Sequence, residues 1–332
     1  MSLTELPPEV IVRILNHIDS IRDLAQCRRI SKALNTIAEK EMFRRKIVLN
    51  GDVQITQFNK HLMKKPTYKH NIKFITAMSG SYNGNDKSSE KASLELLGLA
   101  FTPGMVEFRG RQSYESFFNT MININQESAS EFKHLKAIPI TENSGALRAY
   151  CLAANEFKQT LQEIQITNFL DTFHLFESLI HLDKFICLTR LTIFGSVINI
   201  IDLHRLLLKC PQLLELEMII ENFGPESFQT MSTFQVNQWF SSLSDKGRPS
   251  LKKLKFNTTG SFTELLEYLK LKYPNVEKVS GNLHLDQMMN GGPCSLSLSR
   301  VIKAVEHIPC PSTQATITEP TLSHTAMTMK AP

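Results

Sequence analysis

Leu213-Leu214-Glu215-Leu216-Glu217-Met218 places an apolar residue at its first, fourth and sixth positions. The same frame returns at Leu161-x-x-Ile164-x-Ile166, Leu188-x-x-Leu191-x-Ile193 and Leu251-x-x-Leu254-x-Phe256. Leu135-x-x-Ile138-x-Ile140 is a weaker copy, and Val276-x-x-Val279 starts another whose third position is Gly281. The frames begin at 135, 161, 188, 213, 251 and 276, in steps of 26, 27, 25, 38 and 25 residues. The last two apolar residues of each frame alternate as in a strand and share one face. The segments between have helical spacing, with Phe173, Phe176, Ile180 and Leu182, then Ile198, Ile201 and Leu206, then Phe262, Leu265, Leu266 and Leu269. Strand–helix units of this kind bury their apolar faces only against their neighbours, so they stack. Pro211, Pro249 and Pro274 each stand two residues before a frame, where a helix must end for the strand to begin.

A recurrence of this length resembles the leucine-rich repeat. The resemblance implies an α/β fold class with a solenoid over residues 135–292 and a parallel sheet on its concave face. The asparagine that the family places after the strand is displaced here, with Asn168 and Asn222 nearby. Looser matching adds Ile72-Ile75-Ala77 and Leu94-Leu97-Leu99, so residues 50–134 read as a junction with weak N-terminal repeats. Residues 80–91 are polar and glycine-rich and read as an exposed, flexible loop. The longest step leaves room for an extended convex helix over 228–243, with the single tryptophan, Trp239, in the core. Residues 293–310 read as a C-terminal cap. The tail, 311–332, has six threonines and three prolines and reads as disordered.

Residues 1–49 have a different texture. Leu6-Pro7-Pro8-Glu9 begins a helix, with proline at the first positions and a carboxylate against the dipole. Val10, Ile11, Val12, Ile14, Leu15 and Ile18 then wrap over more than the single stripe of a surface helix. Ser20-Ile21-Arg22-Asp23 is a capping box with Asp in place of Glu, opening a second helix through Leu24, Ala25 and Cys27. Ser31 caps a third, carrying Leu34, Ile37, Ala38 and Phe43. Three short helices bury little surface alone, and the apolar excess implies that something else covers part of it. The order Leu6-Pro7-x-Glu9-Val10, Ile14-Leu15, Asp23-Leu24, Cys27 and Ile30-Ser31-Lys32 resembles the F-box, with Leu34 where that family often has tryptophan. The resemblance implies docking on the Skp adaptor of a cullin–RING (SCF-type) ubiquitin ligase. Leu6, Pro7, Pro8, Val10, Ile14, Leu15 and Leu24 would lie at or near that contact. Cys210-Pro211-Gln212-Leu213-Leu214-Glu215-Leu216 is similar to the start of a repeat in F-box proteins with leucine-rich repeats.

Together the two resemblances imply a non-enzymatic adaptor, its F-box holding the ligase and its repeats holding an unknown protein substrate. The alternative is a leucine-rich-repeat interaction scaffold with no ligase role. The strand positions that face outward are Glu163 and Gln165, Arg190 and Thr192, Glu215 and Glu217, Lys253 and Lys255, and Lys278. An acidic rung thus meets a basic edge of Lys253, Lys255 and Lys278. Arg190, Glu215, Glu217 and those lysines are candidate substrate-binding residues, with the lysine edge attracting acidic or phosphorylated groups. Read plainly, the same residues form a solvated charged face.

Composition narrows the remaining classes. At 332 residues the chain has room for about two domains. With 42% hydrophobic and 21% charged residues, it has enough apolar material for a core. The net charge of +5 is too mild to imply nucleic acid. Six scattered cysteines without a CxxC pair argue against a cysteine zinc site or a disulfide framework, and for a reduced compartment, cytoplasm or nucleus. No apolar run approaches membrane-spanning length, and the first residues lack the order of a signal peptide. Neither a GxxxxGK loop nor HExxH nor GxSxG is present, and no cofactor is expected. His174 and His181, with Asp171 and Asp183, fit an amphipathic helix better than a metal site. The basic run over 60–70, with Tyr68 as a stacking candidate, reads as cover for the junction rather than a nucleic-acid contact.

Overall fold

The computed structural model describes residues 6–79, 86–128, 131–141, 143–168, 179–197, 200–222, 250–259, 268–269, 272–273, 275–284, 314–318 and 326–330. The chain divides into two compact units, 1–161 and 162–332. Helices and parallel strands alternate in it, as the α/β reading expects.

The first unit opens with three helices, α1 (Pro8–Asn16), α2 (Ile21–Cys27) and α3 (Lys32–Arg44). Pro8 occupies the first turn of α1. Ser20 accepts from the Asp23 N–H at 3.2 Å and Ser31 from the Leu34 N–H at 3.1 Å, so two otherwise orphaned helix donors are satisfied. Ile11, Leu15, Leu24, Leu34 and Ala38 form the core between the three helices.

The chain then alternates β1 (Ile47–Asn50), α4 (Asp52–Lys64), a 3-10 turn (Pro66–Asn71), β2 (Phe74–Met78), α5 (Lys87–Ala100), β3 (Glu107–Arg111), α6 (Glu115–Glu127) and α7 (Ser144–Glu156). The three strands are parallel, in the order β1-β2-β3. Ala137 and Ile140 continue the sheet as parallel bridges to β3, so the weak Leu135 frame lies in strand-like backbone. The segment read as a junction is therefore built of regular strand–helix steps. Ile72-Ile75-Ala77 coincides with β2 and is buried. Leu94-Leu97-Leu99 does not mark a strand, because it lies inside α5.

The strand in its place is β3, whose frame reads Met105-x-x-Phe108-x-Gly110. Gly110 has φ +122°, and a Cβ there would sit 1.7 Å from the Ala77 carbonyl oxygen. Close approach of the backbones demands glycine at a position where the pattern asks for an aliphatic residue. The loop expected over 80–91 is also shorter than read. Asp86 caps α5 by accepting from the N–H groups of Ser88 and Ser89, so helix begins at Lys87. Residues 80–85 lie outside the described set.

In the second unit β4 (Glu163–Asn168), β5 (Arg190–Val197), β6 (Glu215–Asn222), β7 (Lys253–Thr259) and β8 (Lys278–His284) run parallel in chain order. Ile164, Ile166, Leu191, Ile193, Leu216, Met218, Leu254, Phe256 and Val279 are all buried, as are Leu161, Leu188, Leu213, Leu251 and Val276, which open the frames. Between the strands lie a short 3-10 turn (Leu182–Lys184) and α8 (Ile200–Leu208).

Within the tail, the described residues are strands rather than the expected disordered chain. The tail contains β9 (Gln314–Thr318), parallel to β8, and β10 (Ala326–Lys330), antiparallel to β9. The local reason is alternation: Ala315, Ile317, Met327 and Met329 recur at period two among β-branched threonines. Trp239 with the helix over 228–243, and the cap over 293–310, lie outside the described residues.

Candidate functional site

The first candidate surface is the face of α1. Ile11 and Leu15 point into the three-helix core, while Val10 and Ile14, one turn apart, are each 39% exposed. Pro7 and Pro8 are exposed beside them, and Leu6 is half-buried against the core. Leu15 and Leu24, named with this contact from the sequence, are fully packed and present no surface. They hold the module together instead. Ile21 and the motif residue Ile30, neither of them among the residues expected at this contact, are also exposed, the latter at 65%. Leu34 is fully buried, so leucine performs the packing task at the position where tryptophan is common.

The second is the outward face of β4–β8. Strand register sets Glu163, Arg190, Glu215, Lys253 and Lys278 side by side as one rung. Gln165, Thr192, Glu217, Lys255 and Ser280 form the next. Arg190 reaches Glu163 at 3.3 Å and Glu215 at 2.7 Å, and Lys253 reaches the other Glu215 oxygen at 2.6 Å. The Lys253 hydrogen bond, helped by Arg190, holds the Glu215 carboxyl below its ordinary value against the opposing effect of partial burial. Glu215 is thus neutralised from within, while Glu217 has no ion pair among the described residues. Lys255 and Lys278 are exposed and carry no ion pair among the described residues. Among the described residues the free cations of the face are therefore these two, not the three lysines together.

The basic run over 60–70 serves the first unit. Glu39 of α3 is buried, and one of its oxygens accepts from Lys65 at 2.6 Å and from the Tyr68 hydroxyl at 2.8 Å. The other accepts from Arg28 at 3.0 Å, with His61 Nε2 at 3.4 Å. Burial pushes the Glu39 carboxyl up, but the hydrogen bonds from Lys65 and Tyr68 and the charge of Arg28 outweigh it and leave it below its ordinary value. Phe43 stacks on His61 and lies 4.9 Å from the Tyr68 ring centroid. Tyr68 is thereby committed to packing and is no platform for a base. No motif points to Glu39. Its only trace in the sequence is a carboxylate on the apolar side of α3.

Catalytic chemistry finds little footing among the described residues. Burial raises the thiols of Cys151 and Cys210 to about 12, in the second case against the nearby Lys209, so neither is a ready nucleophile. No His, Cys, Asp and Glu grouping able to hold a metal ion occurs among the described residues, where His181 and Asp183 lie; His174 and Asp171 fall outside them. Among the same residues no helix is long and apolar enough to cross a membrane.

Comparison with protein families matches residues 3–50 to the F-box-like family. The matched span takes in α1–α3 and β1, which carries it slightly past the helical module. No curated protein matches the chain.

Proposed function

We propose that the chain is a substrate-recruiting adaptor of an SCF-type ubiquitin ligase. An F-box-like domain points to an adaptor role in such ligases and to binding of the Skp adaptor, and F-box domains are typically not catalytic. The observation that carries the reading is the split on α1, where Val10 and Ile14 stay exposed beside a complete core. Together with Pro7, Pro8 and Leu6 they form an apolar patch on a module too small to cover it. The outward face of β4–β8, read as leucine-rich-repeat strands, is the surface for the target protein. Ubiquitin transfer belongs to the associated ligase, and this chain contributes effective concentration by holding target and ligase on one scaffold.

The test is co-purification of the full chain with a recombinant Skp adaptor, beside a Val10→Asp, Ile14→Asp double variant. A stoichiometric complex lost in the variant, with its helical signal unchanged, is the expected result. A folded wild-type chain that forms no complex overturns the adaptor reading and leaves an interaction scaffold without a ligase.

A further inference from the structure

Residues 6–79 hold 14 of the chain's 37 Lys and Arg but only six of its 32 Asp and Glu, so the positive charge gathers in this stretch. Within it lies a polar cavity of about 420 Å³, lined by the end of α1 at Asn16, the end of α3 at Glu41, Arg44 and Arg45, and the approach to β2 at His70, Asn71 and Lys73. Its single acid, Glu41, is buried and paired with Arg44 at 2.6 Å. Arg45 is pinned by donating to the carbonyls of Asn16 at 2.7 Å and Ile18 at 3.2 Å. Those contacts satisfy the last carbonyl of α1 and one just beyond the helix and fix the guanidinium, but they leave its charge unpaired. Among the described residues no carboxylate pairs with Arg45 or Lys73, and His70 and Lys73 are exposed. The wall carrying His70 and Asn71 is held in place by the clasp of Lys65 and Tyr68 on Glu39.

We propose that this cavity is a receptor for a phosphorylated side chain of a partner protein. A fixed guanidinium facing an ammonium, an imidazole and a side-chain amide offers more donors than a carboxylate has oxygens, and suits a dianion with three acceptor oxygens. A nucleic-acid backbone needs a track of cations. Lys65, His61 and Tyr68, which would extend this one, are occupied by Glu39. The cavity shares no residue with the exposed patch on α1, so its occupation does not depend on the adaptor reading.

The full chain is titrated at constant ionic strength with O-phosphoserine, with glutamate and with a short single-stranded DNA, while NMR follows the His70 ring protons. Phosphoserine is expected to shift them saturably, with glutamate and the DNA weaker by about tenfold, the worth of one charge-assisted hydrogen bond. Lys73→Glu, at an exposed position, is expected to weaken phosphoserine by about tenfold or more. Lys60→Glu, exposed and outside the cavity, is expected to leave it unchanged. The proposal falls if no ligand saturates, if Lys60→Glu weakens binding as much as Lys73→Glu, or if glutamate or the DNA binds as tightly as phosphoserine.

Discussion

On α1, Ile11 and Leu15 are buried while Val10 and Ile14 lie open to solvent on the same helix. On β4–β8, the apolar residues of the repeating frame face inward, and the outer face carries a rung of ions that neutralise one another, with Phe194 and Ile219 further along it. The helical module thus completes its core and still has apolar surface left over, which favours a shape-matched partner and depends little on salt. The strand face satisfies most of its charge internally, so affinity there would come from the few charges left over and would fall as salt rises. One region has a surplus of oil and the other a surplus of positive charge. Each surplus defines a kind of partner.

The contrast is broken most severely through the core of the module. Leu34→Ala removes a fully buried side chain between three short helices, and a cost of about 2–5 kcal/mol is expected. Urea titration followed by circular dichroism should show helical signal lost at lower denaturant than in the wild type. A change below about 0.5 kcal/mol, the range of an ordinary surface site, would mean that Leu34 is not the keystone its burial implies.

Glu39→Gln comes next. It keeps the shape but takes the charge from a carboxylate that anchors Arg28, Lys65 and Tyr68. The two cations are partly exposed and recover hydration, so about 1–3 kcal/mol is expected rather than the larger cost of a fully buried pair. The pH dependence sharpens the test. A carboxyl held below its ordinary value stabilises the fold fully above the unfolded value of 4.5 and loses that contribution as pH falls through the folded one. The wild type should therefore lose stability below about pH 4.5 faster than Glu39→Gln does, as measured by unfolding midpoints across that range.

Legibility differs between the two regions for a physical reason. On β4–β8 the frame marks the buried positions, and the register sets Glu163, Arg190, Glu215, Lys253 and Lys278 abreast, in the alignment read from spacing. A one-residue slip would turn every apolar side chain to water, so burial and register carry the same information. In the first unit, β3 escapes the pattern because the steric demand at Gly110 replaces the aliphatic residue that the pattern uses as its signal. For Leu15 and Leu24 the motif records residue type, not which side of the helix is already filled. Glu39 was invisible because its partners Lys65 and Tyr68 lie 26 and 29 residues away in the chain. An ionic cluster of such range has no period to detect. The α5 start, by contrast, was written in Asp86-Lys87-Ser88-Ser89-Glu90, an N-cap hidden inside a run that composition alone reads as loop.

On the strand face, Arg190→Ala removes the bridge between Glu163 and Glu215, one in each strand flanking β5. Arg190 is about 40% exposed, so the expected cost is only about 0.5–1 kcal/mol, and it should shrink as salt is raised from 0.05 to 0.5 M. An effect that ignores salt would assign Arg190 a packing role through its aliphatic stem instead.

Lys255→Glu with Lys278→Glu gives the smallest change in stability. Both side chains are exposed and without an ion pair among the described residues, so unfolding midpoints should move by no more than about 0.5 kcal/mol. Their consequence lies in binding. If the leftover charge of this face recruits acidic targets, the double reversal should weaken retention of the chain on a glutamate-rich peptide column while leaving Skp-adaptor binding intact. Retention equal to that of the wild type would take the lysines out of recognition. The half-buried Phe194 and Ile219, abreast one rung further along β5 and β6, would then be the part of the face to test. In that case the two regions would resemble each other after all, each offering apolar surface to its partner, and the ionic rung would serve only to hold β4–β7 in register.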